Sequence, residues 1–215
     1  MNLATIIDHT TLKANCTVAQ IQTICEEAVN YKFKAVCIPP YYVKDAVKAL
    51  NDSPIKIATV IGFPLGYSAT AAKVEEIKRA INDGAHELDV VINICAVKSQ
   101  DWAYVKNDID SMTRSAHLKG KIVKVILETG LLTKEEIKKL CVICSELEAD
   151  YVKTSTGFNG EGVSVEMVRF LKQSLSPSVK IKASGGIRDQ STARQLVEAG
   201  ANRLGCSASI AIVAG

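Results

Sequence analysis

The stretch IVKVILETGLLTKEEIKKLCVICSELEADYVKTS, residues 122–155, decides the fold. Its opening run, IVKVILE (122–128), is short and rich in Val and Ile, which predicts a strand. Thr133 and Glu136 then stand three apart in front of IKKLCVICSEL, the spacing of a capping box that opens a helix. DYVKTS (150–155) is short and β-branched again and reads as the next strand. A strand, a helix and a strand in this order form the repeating unit of a parallel α/β sheet.

The same unit recurs outward in both directions. Further strand-like runs are LATIID (3–8), KAVCIP (34–39), IKIATVIG (55–62), HELDVVIN (86–93), VKIKAS (179–184) and NRLGCS (202–207). Thr17 with Gln20 makes a second capping box, before a helical pattern that reaches about Tyr31. Asn82-Asp83-Gly84 and Ala199-Gly200 read as helix stops, and Ser68, Ser99, Ser164 and Asp189 as N-caps. Eight strands, each followed by a helix, predict a single (β/α)₈ TIM-barrel domain over residues 1–215. A doubly wound open sheet is the runner-up, but it usually has fewer strands, and no GxGxxG follows the first run here.

Composition agrees with a strand layer buried on both faces. Of the 215 residues, 47% are apolar and only 5% aromatic, so Val, Ile, Leu and Ala must fill the core. The net charge of +3 is spread along the chain, without the basic stripe of a nucleic-acid surface. The start, MNLATIIDHTTLK, lacks a basic segment followed by an apolar run, so no signal peptide is expected. No apolar stretch reaches the ~18 residues of a membrane span. A cytoplasmic location is expected. The seven cysteines are an odd number, and Cys25, Cys37, Cys95 and Cys206 lie in apolar runs, as small buried hydrophobes of a reducing compartment. Cys141 and Cys144 form a CxxC, but within a helical pattern and without a second pair at zinc spacing, so they are expected in helix core.

Function is carried by polar residues that break the strand pattern. Asp8 ends the first run, Asp89 interrupts ELDVVIN, Lys124 interrupts IVKVILE, Lys153 interrupts DYVKTS and Lys182 interrupts VKIKAS. A lone strand lysine is ordinarily an outward, snorkelling side chain, as expected for Lys180. Lys153 and Lys182 differ, because each immediately precedes a Ser/Thr/Gly-rich loop, KTSTGF or KASGGIR. In a barrel the C-terminal ends of all strands converge on one mouth, so these residues would share a cavity. A lysine amine attacks a carbonyl only when neutral, a form rarer by ~1000-fold or more at pH 7 for an ordinary pKa of ~10.4. Burial and a second cation both favour the neutral amine, and Lys182 beside Lys153 would supply that cation. The resulting iminium is an electron sink for carbon–carbon cleavage, and Asp89 could move protons.

The loops after these strands are rich in glycine: Gly157, then Gly185 and Gly186, then Gly205 ahead of Ser207. Glycine lets backbone N–H groups cradle an anion, and a helix expected after each of the last two loops would add its positive end. His9, His86 and His117 show no metal-ligand spacing, and no metal is expected; His9 reads as polar support near the mouth.

DHTTLK, AVCIPP, ELDVVIN, KVILETG, KTSTGF, KASGGIR and GCSAS, in this order and over almost the whole chain, resemble the motifs of the deoxyribose-phosphate aldolase family. The resemblance implies that Lys153 is the Schiff-base lysine, that Lys182 tunes it and helps proton transfer, and that Asp89 is the general acid/base acting with a water. It makes Asp8 and Lys124 supporting residues, and places Gly157, Gly185, Gly186, Arg188, Gly205 and Ser207 around the substrate phosphate. It further implies reversible cleavage of 2-deoxy-D-ribose 5-phosphate to D-glyceraldehyde 3-phosphate and acetaldehyde in deoxynucleoside catabolism. No cofactor is implied; the partners would be small phosphosugar and aldehyde substrates, with neither nucleic acid nor membrane, and a homodimer is common in the family. Two features depart from longer members. Phe158 stands where some carry a Lys, which implies one phosphate contact fewer, and the sequence ends at Gly215, without the tail Tyr that some use in proton transfer. The chemistry read from the residues leaves open another lysine aldolase of the same fold, a barrel isomerase with Asp89 as base, and a catalytically silent phosphosugar-binding barrel.

Overall fold

Eight parallel strands close into a barrel in chain order: β1 (Ile7–Thr10), β2 (Ala35–Ile38), β3 (Lys56–Ile61), β4 (Glu87–Val91), β5 (Ile122–Ile126), β6 (Tyr151–Lys153), β7 (Lys180–Ser184) and β8 (Arg203–Cys206). The computed structural model describes residues 2–159 and 162–215. β8 pairs with β1, with Asp8 opposite Gly205, and this pairing closes the ring. Around it run α1 (Val18–Tyr31), α2 (Val43–Leu50), α3 (Thr70–Asp83), α4 (Ile94–Lys98), α5 (Trp102–His117), α6 (Lys134–Glu146), α7 (Val165–Ser174), α8 (Gln190–Glu198) and α9 (Ser209–Ala214). β4 is followed by two helices, α4 and α5, rather than the one expected.

The period of two along each strand sorts side chains into two cores. On β4, Leu88 and Val90 join the continuous apolar layer between sheet and helices, while Glu87 and Asp89 turn into the barrel. On β5 and β7, Val123, Val125, Ile181 and Ala183 face outward to that layer, and Lys124 and Lys182 face inward. β2 and β3 turn Cys37, Ala58 and Val60 inward instead, a small apolar cluster against which Leu12 and Phe63 pack.

Both capping boxes form, Thr17 with Gln20 and Thr133 with Glu136. Ser164 and Asp189 cap α7 and α8, and Gly84 and Gly200 take the left-handed backbone at φ +113° and +121°. Three expectations need correction. Leu3–Ile6, expected as strand, is a 3₁₀ turn held by the Asn2 side chain, which accepts from the Ala4 N–H; β1 therefore starts later and places Asp8 inside the strand. Ser68 caps nothing, because Ala69 occupies the N-cap of α3. Ser99 ends α4, and Asp101 caps α5 in its place. All seven cysteines are free thiols. Cys141 and Cys144 are buried in α6, where burial pushes the Cys141 thiol up to about 12. Cys95, expected in the core, is exposed on α4. Among the described residues no helix is long and apolar enough to cross a membrane.

Candidate active site

Inside the barrel the strand-breaking residues meet in one buried ionic network. Lys153 Nζ donates to Asp89 Oδ2 at 2.9 Å, and Lys182 Nζ donates to the same oxygen at 2.7 Å and to Asp8 Oδ2 at 2.5 Å. Lys124 Nζ reaches Asp89 Oδ1 at 2.7 Å and Glu87 Oε2 at 2.8 Å. The expected set of Asp8, Asp89, Lys124, Lys153 and Lys182 is thus brought together. Two members escaped the sequence reading: Arg203, which reaches Asp8 at 2.5 Å and Glu87 at 3.0 Å, and Glu87 itself. Arg203 and Glu87 each stand at the first position of a strand, β8 and β4, where a charge reads as the end of a loop.

Burying an ion costs several kcal/mol unless partners compensate, and here each group finds them. Burial pushes the Asp89 carboxyl up, but the ammoniums of Lys124, Lys153 and Lys182 outweigh it and hold it well below the usual carboxylate range. Asp8 behaves alike: burial raises it, and Lys182, Lys124 and Arg203 bring it down to about 2. Burial works against the charged form of Lys182, yet Asp8 and Asp89 raise it above the ordinary lysine value. Asp89 is therefore kept ionised and Lys182 protonated.

The residues after the two lysines fix their strand ends. Thr154 N–H donates to the Lys182 carbonyl, Thr154 Oγ1 to the Ser184 carbonyl at 3.0 Å, and Ser184 Oγ to the Ser155 carbonyl at 2.6 Å. Glu128, fully buried with φ +58°, accepts from the Thr156 backbone N–H and from the Thr156 hydroxyl. KTST and KAS are in this sense a stitch between β6 and β7, a role that spacing alone did not reveal.

Above the network a cleft of about 540 Å³ opens at the C-terminal ends of the strands. It is lined by Lys153, Gly157, Gly185, Gly186, Arg188, Gly205 and Ser207, so the expected phosphate loops and the expected nucleophile share one cavity. Lys13, which also lines the cleft, is a cation that the sequence reading passed over. Gly185 and Gly186 have φ of +96° and +77°, and a Cβ on the neighbouring Gly162 would lie 2.7 Å from the Gly185 carbonyl oxygen. The loops after β6 and β7 therefore touch backbone to backbone. Gly205 has a different reason: a Cβ there would lie 3.0 Å from Lys182 Cε, so its absence makes room for the lysine stem. The two helix starts also differ. The first turn of α8 already holds the Asp189 carboxylate, which accepts from the Thr192 N–H at 2.8 Å, whereas α9 starts at Ala208 without a side-chain cap. Phe158 lines the cleft and packs edge-on against Phe63, with ring centroids 5.2 Å apart.

Comparison with known proteins places this arrangement. The family model described as DeoC/LacD family aldolase matches residues 3–212. A deoxyribose-phosphate aldolase of Exiguobacterium sp. is 49% identical over 216 residues, covering 100% of this chain and 97% of the relative. One from Desulfitobacterium hafniense is 52% identical over 213 residues, covering 99% and 98%. Among solved structures, the tetrameric deoxyribose phosphate aldolase from Aeropyrum pernix superposes with a TM-score of 0.92 at 32% identity, covering 99% of this chain and 89% of the other. With a full-length family match and relatives near half identity, this chain belongs to the DeoC/LacD family of aldolases.

Proposed function

We propose that this chain is a Schiff-base aldolase that reversibly cleaves 2-deoxy-D-ribose 5-phosphate to D-glyceraldehyde 3-phosphate and acetaldehyde. One observation carries the assignment of the nucleophile. The interior network sets four cations, Lys124, Lys153, Lys182 and Arg203, against three carboxylates, Asp8, Glu87 and Asp89. Loss of one proton balances it, and among these groups Lys153 is the one that lines the cleft.

The neutral Lys153 amine adds to the C1 aldehyde, and loss of water gives an iminium. Removal of the proton from the C3 hydroxyl breaks the C2–C3 bond; its electrons move into the iminium and leave an enamine on the lysine. Glyceraldehyde 3-phosphate departs, the enamine is protonated at C2, and water releases acetaldehyde. Asp89, held ionised, is in the form to accept a proton, directly or through water, and Lys182, held protonated, is in the form to donate one. Asp8 and Lys124 keep both in place. Phosphate is held by the backbone of Gly157, Gly185, Gly186 and the Gly205–Ser207 turn, with Arg188 and Lys13 at the rim. Asp189 on α8 makes the α9 side the more favourable for an anion. Seven free thiols fit a reducing, cytoplasmic compartment. Self-association, expected as a homodimer, is supported by the tetrameric relative and is open to light scattering.

The test is acetaldehyde with borohydride, followed by peptide mapping. The expected result is an ethyl group on Lys153 in the native chain and no stable adduct in Lys153→Leu. Labelling at another lysine, or none, removes the assignment.

A further inference from the structure

One wall of the cleft carries a chain of polar contacts that this reaction does not use. His9 on β1 lines the cleft with a side chain 6% exposed. Its Nε2 lies 2.7 Å from Glu27 Oε2 on α1, and its Nδ1 lies 2.9 Å from Ser209 Oγ at the start of α9. Ser209 is fully buried, and its hydroxyl donates to the Cys206 carbonyl at 2.9 Å. A hydroxyl has one hydrogen to give. Used on Cys206, it leaves Ser209 Oγ as the acceptor of the His9 contact, so Nδ1 must carry a hydrogen. Nε2 then meets Glu27 through one further proton, held between ring and carboxyl. Burial pulls the imidazole below its ordinary value, and the Glu27 hydrogen bond and charge act against that.

These contacts join three separate parts of the chain. Glu27 comes from α1, His9 from β1, and Ser209 with the Cys206 carbonyl closes the turn between β8 and α9. Ser207 lies inside that turn and faces the cleft. The backbone ladder already pairs His9 with Cys206, so a rotation of the His9 ring would remove the side-chain tie to the turn beyond it.

We propose that His9 is a positioning residue for the phosphate end of the cleft: through Ser209 it fixes the Cys206–Ser209 turn, and Glu27 holds its ring in the orientation that does so. The inference rests on the reading of the cleft given above, and its effect is on binding rather than on bond cleavage. His9→Phe should raise KM for deoxyribose 5-phosphate by about tenfold, leave kcat within about twofold, and change kcat/KM for unphosphorylated deoxyribose by less than about twofold. Ser209→Ala removes the acceptor with little change of volume and should give the same split should His9→Phe fold poorly. Glu27→Gln should keep KM near the native value, because its amide donates to Nε2 while Nδ1 stays protonated; Glu27→Leu should not.

Ring ¹⁵N spectra of Glu27→Gln supply a readout independent of turnover, with the proton of His9 expected on Nδ1. A proton found on Nε2 instead overturns the proposal, as does an equal loss on both sugars in His9→Phe and Ser209→Ala. Should the native chain fail to turn over the sugar phosphate, the functional reading falls, and the ¹⁵N spectra still decide the role of His9.

Discussion

On β4, Leu88 and Asp89 are consecutive and equally buried, yet they face regions held by different forces. Leu88 enters the layer between sheet and helices, among apolar side chains, where burial of such a side chain contributes about 1.5–3 kcal/mol. Asp89 enters the barrel, where it is stable because three ammoniums surround it. The outer layer holds the fold together without taking part in chemistry. The inner region gains little stability from so many buried charges and in return keeps Asp89 ionised and Lys182 protonated. Within the barrel the contrast repeats: β1 and β4 to β8 bring charge, whereas β2 and β3 bring Cys37, Ala58 and Val60.

Substitutions on the two sides should separate activity from stability. Lys182→Leu should lower kcat by ~10²–10⁴-fold, move the rising limb of the pH–rate profile to more alkaline pH, and leave a folded barrel. An unchanged profile would show that Lys182 is not the cation acting on the nucleophile. On the other side, Ile109→Ala, fully buried in the outer layer, should cost about 2–5 kcal/mol in denaturant unfolding and leave kcat per folded molecule unaltered.

Acid should find the inner region first. Asp8 sits at about 2 against an ordinary 3.8. A carboxyl lowered by folding stabilises the native state above its ordinary value, and that contribution disappears as pH falls toward the folded value. The loss, about 2 kcal/mol between roughly pH 4 and pH 2, should be absent from the pH–stability curve of Asp8→Asn and unchanged in that of Ile109→Ala. Smaller effects are expected at helix starts, which belong to neither region. Thr133→Ala should cost about 1 kcal/mol, since its side chain accepts from the Glu136 N–H, and Ser68→Ala should stay within about 0.5 kcal/mol, since Ser68 caps nothing. Thermal unfolding of the pair measures both.

The outer layer was the easier region to read from sequence. Its signal is local and periodic, so eight strands, the capping boxes and the glycine stops could be placed from nearby residues. Errors fell where a local hydrogen bond competed with the pattern, as with Asn2 turning Leu3–Ile6 into a 3₁₀ segment and Asn93 starting α4 where a strand was expected to continue. In the barrel interior, the inward lysines and Asp89 stood out because they interrupt apolar runs. Glu87 and Arg203 did not, because a charge at the first position of a run looks like the end of a loop. Glu128 and Ser209 were illegible for another reason: their partners lie 28 and 200 residues away, and no spacing rule reaches that far.

The closed ring also fixes when the protein can be completed during its synthesis. Asp8 leaves the ribosome well before Lys182 and Arg203, which follow it by 174 and 195 positions. At ~5–20 residues per second, the carboxylate waits ~10–40 s for the cations that let it be buried. During that interval β1 has no β8 to pair with, and Asp8 must remain in water. Of the eight strands, β1 is thus the last to find its surroundings, and the nascent sheet keeps one side open until β8 has been made.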